Sequence, residues 1–332
     1  ISETGTGTLT LSGANTYAGP TAINSGTVIA SNNSALGAGG ATTVASGATL
    51  QLNNIDLSNE TVNLNGGSLT FNGANNMIDT GSTLNIQATS LINSVNASGD
   101  ALTIHVPVAV SAGQSLNIGT PSPNTFDLTT DANASITGGG ALSNLTIKTK
   151  GNVTLGAAVS NFDRVTIDPV TTTLADVTAN IAINISNVVG NNTPGNTDSV
   201  TLNGVLTTTA TNQTNAINIV TGQFINNAEA NALVVGAGSN WLVWSNDPNA
   251  DTVGGLIPDF IQYNAQYISA TPAQSNNGLL YSFAPMMTTG NLSILGPITK
   301  TYDGTTSATL TAANYAFNGV PGDTVTFSAP LS

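Results

Sequence analysis

Along most of the chain, apolar residues stand two apart with a small polar or neutral residue between them. The packets include Leu9–Leu11, Leu50–Leu52, Val62–Leu64, Leu69–Phe71, Leu84–Ile86, Leu116–Ile118, Leu145–Ile147, Val153–Leu155, Val165–Ile167 and Ile181–Ile185. A period of two is that of a strand with one buried and one wet face. Gly, Asn and Ser collect between the packets and supply turn chemistry. No stretch carries helical spacing, so the pattern predicts an all-β fold built from many short strands.

The packets also recur at long range. Leu9 to Val28 is 19 residues, Val28 to Leu50 is 22, and Leu50 to Leu69 is 19. A second set, Val44 and Val62, is offset by about half a repeat with a spacing of 18. Such a period predicts a right-handed parallel β-helix with one coil per repeat. A single coil cannot bury its inward Leu, Val and Ile residues, whereas a stacked one can. The alternative, an array of β-sandwiches, would bring more large aromatics and strands of about five residues or more. Gly13, Asn15, Gly19 and Gly26 are expected at corners.

Near residue 240 the composition changes. Five aromatics fall in residues 1–240 (Tyr17, Phe71, Phe126, Phe162 and Phe224), and eleven fall in the remaining 92. An open solenoid end exposes apolar surface and strand edges, so a cap is expected there. The domain reading is a β-helix stalk over 1–239, an aromatic-rich β junction or cap over 240–297, and the start of a β-sandwich-like module over 298–332. Gly290 to Pro297 reads as a connection. The chain begins without a leader at Ile1 and its last pattern breaks off at Ser332, as expected of a piece of a longer protein.

Charge narrows the function. Only 6% of residues are charged and the net charge is −13, with Lys148, Lys150, Arg164 and Lys300 the only basic residues. These cannot form the basic patch that nucleic acid or an anionic membrane surface requires. Apolar runs are far shorter than the roughly 20 residues that span a bilayer as a helix. There is no cysteine, so neither a disulfide nor a thiolate metal site is expected.

Few residues offer chemistry. A glycosidase needs two carboxylates about 5–10 Å apart. The closest grouping is Asp163-Arg164-Val165-Thr166-Ile167-Asp168, where an odd separation puts the two aspartates on opposite faces of a strand and at coil ends. His105 alternates with Ile104 and Val106 and should point outward. Asp247, Asn249 and Asp251 resemble the start of a calcium loop, although Thr252 replaces the required glycine and Pro258 the terminal glutamate; a turn held by Asx bonds explains the same residues. Calcium is the one cofactor considered. Trp241, Trp244, Tyr263, Tyr267 and Tyr281 form either a platform for stacking sugars or the core of the cap. Trp241 and Trp244, three apart, are expected on opposite faces, one in the core and one pointing out. Asn-x-Ser/Thr triplets, such as those at Asn59, Asn96 and Asn184, suit side-chain ladders along the coils.

Residues 7–37 resemble the passenger repeat of autotransporters and other large secreted bacterial adhesins, through Gly13, Asn15, Tyr17, Gly19, Thr21, Gly26 and Thr27, with Val28 for the commoner Leu. Residues 299–328, with Tyr302-Asp303-Gly304, resemble the YDG module of very large bacterial surface proteins. The stretch from NWLVWSNDP to GLLYSFAP resembles the junction before those modules in filamentous-haemagglutinin-like, two-partner-secreted adhesins. The resemblance implies a non-enzymatic adhesin segment, exported through an outer-membrane secretion partner to the surface or matrix of a Gram-negative bacterium. There it would mediate attachment, aggregation or biofilm formation, with polysaccharide, another cell surface or a second copy as partner. The alternatives are an exopolysaccharide-binding matrix cross-linker and a polysaccharide-degrading β-helix enzyme.

Overall fold

A computed structural model of the chain describes residues 1–120, 124–187, 192, 195–285, 292–296, 299, 301, 304 and 310–317. The described residues through Tyr281 form a parallel β-solenoid. Strands from successive coils pair side by side into three faces. The first face runs from Ser2–Glu3 through Thr21–Ile23 and Thr42–Ala45 to Leu233–Val234. The second begins at Thr8–Leu11 and ends with Gly278–Tyr281 and Phe260–Gln262. The third, an eight-stranded sheet, starts at Asp56–Leu57 and ends at Gln223–Asn226.

Inward residues stack in register. On the second face Leu9, Val28, Leu50, Leu69, Ile92, Ile118, Ile147, Ile167, Ile185, Ile219, Val243 and Leu279 succeed one another as direct partners. All but the first are buried. Each such side chain contributes roughly 1.5–3 kcal/mol by leaving water. The 19, 22 and 19 spacings of the first four are therefore true coil lengths. The second set differs: Val44 pairs with Leu64, and Val62 with Thr42. That coil is 20 residues long, and an inward threonine, Thr42, takes the place where an apolar residue was expected.

Outward positions are tied by neutral side chains. Asn53 donates from Nδ2 to Ser31 Oγ, Asn72 to Asn53 Oδ1, and Asn96 to Asn72 Oδ1, at 3.2, 2.9 and 2.6 Å. Asn85 donates likewise to Asn63 at 3.0 Å. A surface nearly free of charge thus stays hydrogen-bonded. Several strands exceed the expected two-to-four-residue packets and run five to seven residues, and two are longer still. Val159–Asp168 and Val177–Ser186 each run ten residues, without a break, from the first face into the second. A register irregularity between Val159 and Arg164 leaves the consecutive residues Phe162 and Asp163 both buried at the bend, Phe162 in the core and Asp163 under the outer corner, as a bulge does. Asp163 and Asp168 accordingly lie within one strand rather than at coil ends.

The stack does not stop at residue 239. Trp241–Ser245 pairs with Ile217–Val220, and Gly278–Tyr281 pairs with Trp241–Ser245. Trp241, Val243, Leu279 and Tyr281 join the main core, and Leu256 and the partly buried Val253 and Tyr263 close its end. The aromatic enrichment marks the last rungs and their cover, because large rings fill the end of a stack that no further coil covers. Leu292–Ile294, inside the expected connection, is a strand that pairs antiparallel with Tyr315–Phe317. Tyr302, Asp303 and residues 318–332 lie outside the described residues.

Corner glycines set how closely coils approach. At Gly119 (φ 82°) an added Cβ would stand 1.7 Å from the carbonyl oxygen of Lys148 in the next coil. Gly113 (φ 71°) faces open space. Gly113→Ala should cost only the left-handed strain, about 1 kcal/mol. Gly119→Ala should cost about 3 kcal/mol or more, because backbone must also move. Thermal or urea denaturation of the two variants checks the difference.

Candidate functional site

The solenoid carries a trough at the edge between its first and second faces. Its origin is the number of residues spent at each corner. Ile136, Val159, Val177 and Leu206 align on the first face. Leu145, Val165, Ile183 and Ile217 align on the second. The chain takes nine steps from Ile136 to Leu145, six from Val159 to Val165, six from Val177 to Ile183, and eleven from Leu206 to Ile217. Two short corners thus lie between two long ones. At a rise of about 4.8 Å per coil, the long corners are walls about 14 Å apart.

Two hollows adjoin along this floor. One, of about 370 Å³, is lined by Gly140 and Ala141 of one wall, Thr209 of the other, and Asn161, Asp163, Thr178 and Asn180 of the floor. The other, of about 270 Å³, is lined by Arg164, Asn184, Gln213, Asn215, Asn218 and Tyr267, among others. Asp163 accepts hydrogen bonds from the Leu142 amide at 2.6 Å and from Asn180 Nδ2 at 3.0 Å. These bonds, with the nearby Arg164 charge, hold its carboxyl below the usual range, so it is ionised at neutral pH. Two non-glycine residues here are left-handed: Asn161 (φ 61°) in the floor and Leu142 (φ 68°) in the wall, the latter 74% exposed. Strained backbone at a concave surface is a mark of functional sites. Among the described lining residues Asp163 is the one carboxylate.

The other sequence candidates take defined places. His105 faces outward, and its Nδ1 lies 2.8 Å from Asp131 Oδ2, within hydrogen-bond distance. Asp247 Oδ1 accepts from the backbone N–H and side-chain Nδ2 of Asn249, at 2.9 and 3.2 Å, as an Asx turn. Asp251 turns to other partners. Its Oδ1 accepts from the Phe224 amide and its Oδ2 from Ser245 Oγ, at 2.9 and 2.6 Å. Asp247 and Asn249 thus form the Asx turn, while both carboxylate oxygens of Asp251 accept bonds from other elements.

Trp241 and Trp244 lie on opposite faces of one strand, as expected, but neither points into solvent. Trp241 is in the solenoid core at 4% exposure. Trp244, at 3%, belongs to a second cluster with Val220, Leu242, Phe260, Ala265 and Leu280. The segment around Phe260–Ala270 folds back over the outer face and covers it. Asn192 fastens this cover: its Nδ2 donates to the carbonyls of Ser245 and Ala265, and its Oδ1 accepts from the Tyr267 amide. Tyr263 stacks on the buried Tyr281 with ring centroids 5.7 Å apart. Tyr267 packs edge-on against Trp244 at 5.2 Å, remains 40% exposed, and reaches the trough. Of the five aromatics, it alone lines the hollows described here.

The trough was hidden in the sequence because it depends on which coils neighbour which. One signal was legible: residues 157–189 contain no glycine, in a chain that elsewhere places one at most corners.

A family model described as a passenger-associated-transport-repeat matches residues 3–30. No curated protein and no solved structure matches the chain. The repeat and the solenoid together fit an autotransporter-passenger-like β-helix, an extended secreted domain, consistent with a Gram-negative cell surface.

Burial pushes the Asp251 carboxyl up to about 7, against the hydrogen bonds from Phe224 and Ser245. Its unfolded value is near 3.9, so folding takes up a proton between these two values. The stabilisation is complete at acid pH and is lost as pH rises through 7. Burial raises Glu60 and Asp198 in the same direction. The chain should be more stable at pH 5 than at pH 8. Asp251→Asn, which keeps an acceptor for Phe224, should remove about 2 kcal/mol of that difference. Melting curves of both proteins at the two pH values measure it.

Proposed function

We propose that the chain is a non-catalytic, extended passenger segment that attaches a Gram-negative cell to neighbouring cells or to extracellular polysaccharide. The observation that carries this reading is the uninterrupted inward ladder, from Leu9 to Leu279, inside an almost uncharged Asn- and Thr-bearing surface. Such a stack extends reach coil by coil without redesign of the core. It also presents hydroxyl and amide groups suited to the hydroxyls of a glycan. The passenger-associated repeat at residues 3–30 supports export. Resemblance of residues 240–285 to the junction of two-partner-secreted adhesins, and of residues 299–328 to the YDG module of large bacterial surface proteins, supports the same setting, with an outer-membrane secretion partner. Within this reading, matrix cross-linking through polysaccharide is the form that the trough favours, and self-association between copies is its alternative.

Beads coated with the purified chain test the reading. They should cluster with one another or be retained on polysaccharide-coated surfaces, with no rise in reducing sugar ends. Neither clustering nor retention, or measurable turnover of a polysaccharide, would overturn it.

A further inference from the structure

The second hollow of the trough combines features that point to one class of ligand. Arg164 is exposed, one of four basic residues in a chain of net charge −13, and forms no ion pair among the described residues. A guanidinium in such surroundings is a selective attachment point for a carboxylate, whose two oxygens match its fork of donors. Beneath it the outward column of the second face reads Thr166, Asn184, Asn218 as direct partners. Asn218 is 92% buried by its neighbours, being 8% exposed, and its carboxamide oxygen has no hydrogen-bond partner in the protein. That oxygen is closed off from the hollow, whereas the side chains of Asn184, Gln213 and Asn215 line it and offer amide donors and acceptors to the hydroxyl groups of a ligand. Tyr267 stands at the side, its position fixed by Asn192 and Trp244, and offers an aromatic surface. Carboxylate recognition, amides and an accessible ring are the requirements of an acidic sugar.

The first hollow continues the floor with a different chemistry. Asn161, Asn180 and Thr209 line it around an ionised Asp163, which repels a second carboxylate. Thr209 Oγ1 donates to Asn180 Oδ1 at 3.0 Å, and Asn180 donates on to Asp163. This chain of hydrogen bonds orders the polar groups for neutral hydroxyls.

We propose that the trough is a binding site for a uronate-containing polysaccharide, with a sugar carboxylate on Arg164 beside Tyr267 and a neutral sugar over Asn161, Asn180 and Thr209. The proposal rests on the attachment reading above and names its ligand class. Two short corners give room for a chain lying across the solenoid edge, and the walls around Gly140 and Thr209 confine it.

Calorimetric titration of the whole chain with a short galacturonic-acid oligomer tests this. The methyl-esterified oligomer and a sulfated dextran serve as comparison probes. The acidic oligomer should bind, the ester about tenfold more weakly or not at all. Arg164→Ala should weaken the acidic oligomer by about tenfold or more, Arg164→Lys by less, and Tyr267→Leu by about fivefold. Lys150→Ala is the control, because Lys150 lies in a separate hollow with Asp100 and Asp127; it should change affinity by less than about twofold. Equal loss from Lys150→Ala, or tight binding of the ester, overturns the assignment to Arg164. Equal, Arg164-dependent binding of the sulfated probe overturns selectivity for a carboxylate. Bead retention on neutral polysaccharide without binding of the acidic oligomer would sink this inference and leave the attachment reading standing.

Discussion

Each coil of this solenoid depends on the coils above and below it, because its inward Leu, Ile and Val side chains have no other route out of water. The column from Leu9 to Leu279 expresses that dependence residue by residue. Parallel backbone pairing holds neighbouring coils at a fixed rise, and the aliphatic column fixes their rotation. What is left free is the length of each corner. Both the regularity of the stalk and the irregularity of its trough therefore follow from one constraint: strands must stay in register, and corners need not match.

The far end of the stack shows the same constraint under different conditions. When the first and third faces run out, the second continues through Trp241–Ser245 and Gly278–Tyr281. Its outer side then becomes apolar, with Val220, Leu242, Trp244 and Leu280 in place of Thr and Asn. Apolar outer positions need a cover, and the segment bearing Phe260 and Ala265 provides it. At Gly278 an added Cβ would meet the Phe260 ring at 2.3 Å, so the closeness of this cover depends on a missing side chain. Covering the outer face also brings Tyr267 to the trough, which links the end of the core to the candidate site.

Much of this architecture was legible from alternation and spacing alone. Leu50, Leu52, Leu69 and Phe71 show which positions face inward, and their intervals are the coil lengths. The pairing of Val44 was misjudged because inward positions also accept threonine, and Thr42 breaks the apolar signal. The two tryptophans were rightly separated onto opposite faces, but nothing local indicates that a segment twenty residues later will cover the outer one. The boundary near 239 was a change in composition, not in pairing. Asp163 and Arg164 stood out for their charge. Their setting between two long corners needs the register of four coils at once, which no single stretch contains.

The central claim is that one stack, held by inward register, runs unbroken through Tyr281. Amide hydrogen exchange on the whole chain tests it directly, since a ladder amide exchanges only when its coil opens. Trp241–Ser245 and Leu279–Leu280 are expected to be protected to a degree similar to Val165–Ile167. Fast exchange everywhere beyond residue 240, with protection retained before it, would contradict the claim.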